Sequence, residues 1–176
     1  MKFSSASGLF VFAVLASSAG FAMAEAPGDP TAVKQNDLGK WFDAKGDPTY
    51  KIEPDKNVDW FTYSGFRRYH SECHVCHGPD GEGSSYAPAL KNSVKTLNYA
   101  EFVGVVVGGR QNVTSSQENV MPAFGDNKNV MCYLDDIYVY LRARSTDAVE
   151  RGRPAGHVEK TPAAIEAEKA CIETPG

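Results

Sequence analysis

Apolar positions in this chain recur at helical spacing in three stretches, separated by segments rich in proline, glycine and small polar residues. Over residues 58–73, Phe61, Gly65, Phe66, Tyr69 and Cys73 fall three and four apart and trace one stripe. Glycine inside a helix costs stability, so Gly65 predicts a second helix passing close by. The next stretch opens with Asn98 and Glu101 in capping-box register. Tyr99, Phe102, Val103 and Val106 share its face, and Gly108-Gly109 ends it. The third helix is expected over residues 130–143, where Val130, Leu134, Ile137 and Leu141 line one side with Tyr140 beside them. Asp135 and Asp136 fall early and Arg142 and Arg144 late, as the helix dipole favours. Its apolar face is the natural partner for Gly65.

The flanks read differently. Residues 25–54 carry Pro27, Pro30, Pro48 and Pro54 and predict an extended arm pinned by Trp41, Phe42 and Tyr50. Residues 78–97 have loop composition. After Ser145 the chain turns polar, until Thr161, Pro162 and Glu166 start a short helix. Its stripe is weak, because Lys169 falls between Ile165 and Ile172.

The N-terminus has the pattern of an export leader. Lys2 supplies a positive start, Gly8 to Ala16 an apolar run, and Ala22-Met23-Ala24 a small-residue cleavage site. That run is too short to span a bilayer, so a chain exported to the periplasm, and not membrane-spanning, is expected. The 176 residues carry a formal net charge of −4, and losing Lys2 makes the remainder more negative. This balance argues against nucleic acid as a partner, since phosphate binding needs clustered lysine and arginine.

Residues 73–77 read Cys-His-Val-Cys-His. C-x-x-C-H is the attachment signature of haem c. Two cysteines three apart on a helical turn lie on one face and reach one porphyrin edge together. His77, directly after the second thiol, is placed to put an imidazole nitrogen on the iron, and its other nitrogen must be held by a neighbouring group. Pro88-Ala89-Leu90 offers a backbone carbonyl for that nitrogen, and Leu90 a side chain to pack the ring. A thioredoxin-like Cys73–Cys76 pair would need a βαβ context, which is missing. A structural zinc site would need four ligands, and there is one such pair.

A second axial ligand is expected across the iron. Met121 sits in a segment read as a loop, with Pro122 behind it restricting it to extended geometry, which suits a strap over a haem face. Met131 falls on the third helix, where a packing role in the core or on the surface is expected. His70 and His74 lie within a turn of the thiols, on the side already taken by His77, and His157 lies in the polar tail. Methionine on the sixth position favours electron transfer over oxygen or peroxide chemistry, so a carrier is expected and not an enzyme. Cys132 and Cys171 remain. An oxidising compartment favours their pairing, with two free buried thiols as the alternative.

Together these residues resemble class I cytochrome c. Gly65 and Tyr69 stand eight and four before Cys73, and Cys-His-Val-Cys-His, Pro88-x-Leu90, Met121 and Ile137-x-x-Tyr140-Leu141 follow in order. The resemblance covers residues 55–145 and implies an all-α fold around one covalent haem c. Outside that core lie a leader (residues 1–24), an N-terminal extension (25–54) and a C-terminal tail with a short helix (146–176). A narrower resemblance covers nearly the whole mature chain. It rests on residues 59–70, on Asn119-Val120-Met121-Pro122-Ala123-Phe124-Gly125-Asp126 and on Met131-Cys132-Tyr133. These are similar to the four-cysteine periplasmic cytochromes related to methanol metabolism, including the iso-cytochrome of Paracoccus-like bacteria. That resemblance implies a PQQ-dependent alcohol dehydrogenase as electron donor, with a terminal oxidase or another cytochrome as acceptor. The competing expectations are the haem subunit of a stable dehydrogenase complex, and a peroxidase or gas-binding protein with a labile sixth site.

Overall fold

The computed structural model describes residues 29–113 and 118–174; the expected leader and its cleavage site lie outside them. The described chain is mainly helical, with two small antiparallel sheets. Strands β1 (Lys34–Gln35), β2 (Trp41–Phe42) and β3 (Pro48–Thr49) precede helices α1 (Trp60–Glu72) and α2 (His74–His77). A 3₁₀ turn (Pro79–Gly81), α3 (Leu90–Ser93) and α4 (Tyr99–Gly108) follow. Then come the hairpin β4 (Arg110–Val113) and β5 (Glu118–Met121), α5 (Lys128–Met131), α6 (Leu134–Ser145) and α7 (Pro162–Glu173).

Helix boundaries follow local chemistry. Asp59 caps α1 by accepting from the Thr62 N–H at 3.0 Å and the Thr62 hydroxyl at 2.5 Å. Asn98 and Glu101 form the capping box on α4, and Gly109, at φ 71°, ends it. Helices α1 and α6 cross at Gly65, and α6 is buried along almost its whole length. The core joins Tyr69 of α1, Val94 at the end of α3, Phe102 and Val106 of α4, and Leu134, Ile137, Tyr140 and Leu141 of α6.

Three expectations need correction. The N-terminal arm is a folded three-stranded sheet. Two glycine turns make it, Gly39 at φ 90° and Gly46 at φ 88°, with the Asn36 and Asp43 side chains each accepting two backbone N–H bonds. The third helix is two helices. It breaks at Tyr133, whose φ of −129° and ψ of 18° are not helical, beside Cys132, which is disulfide-bonded to Cys171. The Tyr133 ring there lies under the Arg68 guanidinium, 3.5 Å from its centroid. Met121 ends a strand and not a loop, opposite Arg110 in the hairpin register.

Buried arginines of α6 and polar contacts hold both extensions against the core. Buried Arg142 pairs with buried Asp43 at 2.7 Å and donates to the Pro48 carbonyl at 3.0 Å, which fastens the N-terminal sheet to α6. Buried Arg144 pairs with Glu82 at 2.8 Å and also donates to the Val149 carbonyl. Farther on, Val58 exchanges backbone bonds with Gly156 and Val158, and the His157 ring stacks on Tyr63 at 4.0 Å. Thr161 caps α7 and gives its hydroxyl to the Leu38 carbonyl at 2.7 Å, so the two extensions touch. Among the described residues no helix is long and apolar enough to cross a membrane.

Candidate haem site

Cys73 ends α1, its N–H bonded to the Tyr69 carbonyl at 2.9 Å, and the chain re-enters a helical turn at once. The His77 N–H bonds back to the Cys73 carbonyl at 3.0 Å. This turn sets both free thiols on one side, Cys73 half-buried and Cys76 exposed. Burial pushes the Cys73 thiol up to about 12, with Glu72 and Cys76 adding to it.

His77 is buried, and its Nδ1 donates to the Pro88 carbonyl at 2.9 Å. That bond fixes the tautomer: Nδ1 carries the proton and Nε2 keeps a free lone pair. The loop making it turns on two glycines. A Cβ at Gly78, φ 72°, would lie 2.2 Å from the Gly83 carbonyl oxygen, and one at Gly83, φ 86°, would lie 2.7 Å from the Ala89 nitrogen. The Gly83 N–H bonds to the His77 carbonyl at 2.8 Å, and the Ser84 hydroxyl donates to the Cys76 carbonyl.

Leu90 opens α3, half-buried. Cys73, Leu90, Tyr99, Val103, Met121 and Phe124 all pack, partly buried, against the same core cluster. Two free thiols at i and i+3, an imidazole with one nitrogen committed and one free, and a rim of half-covered apolar side chains fit a covalent haem c. The structure therefore brings Cys73, Cys76, His77 and Pro88 into one unit. Leu90 and Met121 reach the same core from α3 and β5. Met131, on α5, is half-buried against that core as well. His157 is engaged with Tyr63 and Trp60, well outside the motif.

Beyond the motif, an ionic hub stands that the sequence pattern did not reveal. Asp80, at φ 58°, is buried three residues after His77. It accepts from the Gly152 N–H at 3.0 Å and the Tyr140 hydroxyl at 3.2 Å, and it faces His70 Nε2 at 3.3 Å. Burial alone pushes its carboxyl up, but the Gly152 bond, the His70 charge and the Tyr140 bond outweigh it and hold it below the ordinary range. The spacing of Gly78, Gly81 and Gly83 was the one signal in the sequence that this loop folds tightly onto itself.

The fold and this site define a mostly helical protein whose paired thiols and oriented imidazole fit one covalent haem. No family model matches the chain. It is 54% identical over 134 residues to cytochrome c-553I of Paracoccus denitrificans, covering 76% of this chain and 59% of that protein. It is 43% identical over 104 residues to cytochrome c-555 of Methylococcus capsulatus, covering 58% of this chain and 75% of the relative. The crystal structure of the c-type cytochrome XoxG from Methylobacterium extorquens AM1 matches with a TM-score of 0.74 and 54% identity, over 85% of this chain and 94% of that one. The chain belongs to the class I c-type cytochromes. Proteins of this family carry covalent haem c and transfer electrons. It spans 59% of the length of the Paracoccus relative.

Proposed function

We propose that the chain is a periplasmic one-electron carrier, exported by residues 1–24, that accepts electrons from a PQQ-dependent methanol or alcohol dehydrogenase. It passes them on to a terminal oxidase or another cytochrome. Cys73 and Cys76 hold the porphyrin, His77 and Met121 are the axial ligands, Pro88 orients His77 and Leu90 packs the ring. The observation that carries this reading is the 2.9 Å bond from His77 Nδ1 to the Pro88 carbonyl. It leaves Nε2 as the one imidazole nitrogen able to bind iron, and it makes that nitrogen more basic.

Met121 is anchored from behind. A Cβ on Gly109 would lie 2.7 Å from the Met121 carbonyl oxygen, so the end of α4 and the end of β5 are in close contact. A thioether on the sixth position closes it to oxygen and peroxide and leaves electron transfer as the outlet. Bound haem c supplies the Fe(III)/Fe(II) couple for that transfer.

Similarity to cytochrome c-553I and to XoxG supports the quinoprotein donor, together with the resemblance to methanol-related cytochromes in the sequence. Val75 inside the motif is 79% exposed, Tyr86 in the following loop 78%, and Val120 beside Met121 55%. Bare apolar side chains at these positions support brief contact at the thioether edge, through an interface below about 1,200 Å². The buried Asp43–Arg142 pair and the Arg144 bond to the Val149 carbonyl fasten the extensions to α6 and support a structural role for them.

Stopped-flow reduction of the oxidised cytochrome by the organism's PQQ-dependent methanol dehydrogenase, at several salt concentrations, tests the donor. Fast, saturable reduction is expected. An intact, reversible haem that the dehydrogenase fails to reduce removes this donor and leaves the carrier.

A further inference from the structure

The Tyr69 hydroxyl is buried and placed against the peptide that follows His77. It donates to the Gly78 carbonyl at 2.6 Å, lies 3.2 Å from the His77 carbonyl, and accepts the Gly81 N–H at 3.0 Å. Burial holds the phenol above its ordinary range, so it stays an O–H donor. Gly78 and Gly81 are themselves buried. Without this hydroxyl, one buried carbonyl and one buried N–H lose their partner, and the loop has to move to find another.

That movement is not free. The Gly78 and Gly83 backbones touch, Gly83 packs on Ala89, and the residue before Ala89 is Pro88, whose carbonyl holds the His77 ring. A shift at Gly78 therefore passes along a close-packed backbone to the atom that orients the imidazole. The His77 carbonyl accepts from both the Tyr69 hydroxyl, at 3.2 Å, and the Gly83 N–H, at 2.8 Å.

We propose that Tyr69 is a positioning residue for the axial imidazole, its hydroxyl setting the loop that fixes the His77 ring plane. This rests on the reading of His77 as an iron ligand and adds a specific role for one atom of α1. The aromatic ring of Tyr69 has a separate task, packing against Tyr140 at 5.6 Å between centroids.

Tyr69→Phe in the full holo-cytochrome separates the two tasks, because it keeps the ring and removes the hydroxyl. Tyr140→Phe is the control: it also deletes a buried hydroxyl at the α1–α6 contact, but that hydroxyl bonds to Asp80 and not to the 77–78 peptide. The readouts are the haem-methyl NMR shift pattern and the electron paramagnetic resonance g-values of the oxidised protein, both sensitive to the imidazole plane. The rate of cyanide binding to the oxidised haem is a third. Tyr69→Phe is expected to alter the methyl pattern and g-values and to raise the cyanide rate several-fold, on the order of three- to tenfold, while Tyr140→Phe stays near wild type. A Tyr69→Phe protein indistinguishable from wild type overturns the proposal. So do equal changes in both variants, which would reduce Tyr69 to one more buried hydrogen bond. Failure of the underlying reading shows separately, as a His77→Ala protein with an unchanged haem spectrum.

Discussion

A Cβ built on Gly65 of α1 lies 1.9 Å from the carbonyl oxygen of Asp136 on α6 and 2.8 Å from the Tyr140 Cβ. Two helix backbones therefore meet with no side chain between them, at the crossing that carries Tyr69 and Cys73 toward the haem motif. Gly65→Ala cannot be absorbed by a rotamer change, because the obstacle is backbone. It is expected to cost about 3 kcal/mol or more and to lower haem-loaded yield, measured by urea unfolding of the holo-protein. Near-wild-type stability would mean that the two helices are free to separate.

This crossing was legible in the sequence, because a glycine that weakens the middle of an apolar helical stripe marks a close approach by another backbone. The haem motif was equally legible, since Cys73, Cys76 and His77 are adjacent in the chain and a single turn brings them together. Less legible was whatever depends on distant partners. Arg142 reads as a dipole-complementing cation near a helix end, yet it is only 3% exposed and pairs with Asp43, 99 residues away. Asp80 reads as a turn residue, and its role arises only when α6 and the segment at Gly152 close over it. The break between α5 and α6 was hidden because Val130 and Leu134 keep helical spacing across it, while tertiary contacts to Cys132 and Tyr133 override the pattern.

Asp136 makes stability depend on pH. It is buried, accepts from the Ser64 hydroxyl at 2.6 Å and faces Lys40 at 3.6 Å. Burial pushes its carboxyl up to about 7 from 3.8, against the opposing pull of Lys40 and Ser64. Between those values the folded chain holds a proton that the unfolded chain has released. The contribution is therefore complete at pH below 3.8 and is lost as pH rises to about 7. Asp136→Asn keeps a neutral side chain on Ser64 at every pH. Relative to wild type it is expected to gain roughly 2–4 kcal/mol between about pH 4 and pH 8. Parallel pH–stability curves for the two proteins would contradict this.

The Cys132–Cys171 bond closes a separation of 39 residues, with the Cα atoms 5.8 Å apart. Helix α7 buries little beyond Ala164, and Ile165 stays 48% exposed. The cross-link, the Thr161 bond to the Leu38 carbonyl and the Lys128 bonds to the Ile172 and Thr174 carbonyls are its main attachments. Cys171→Ser is expected to lower stability by about 2–4 kcal/mol. Loss of amide-exchange protection should begin in α7 and leave α1 and α6 unchanged. Full protection of α7 in the variant would show that packing alone holds it.

His77 and Met121, proposed as the two iron ligands, would close both faces of the iron with this chain's own side chains. Carbon monoxide binding to the reduced protein, followed with the methionine-to-iron charge-transfer absorption of the oxidised form, tests it most directly. Wild type is expected to show the absorption and to bind carbon monoxide negligibly. Met121→Ala is expected to lose the first and bind the gas rapidly. Rapid binding by wild type, or an unchanged absorption in Met121→Ala, would contradict the account and point to an open or differently filled sixth site.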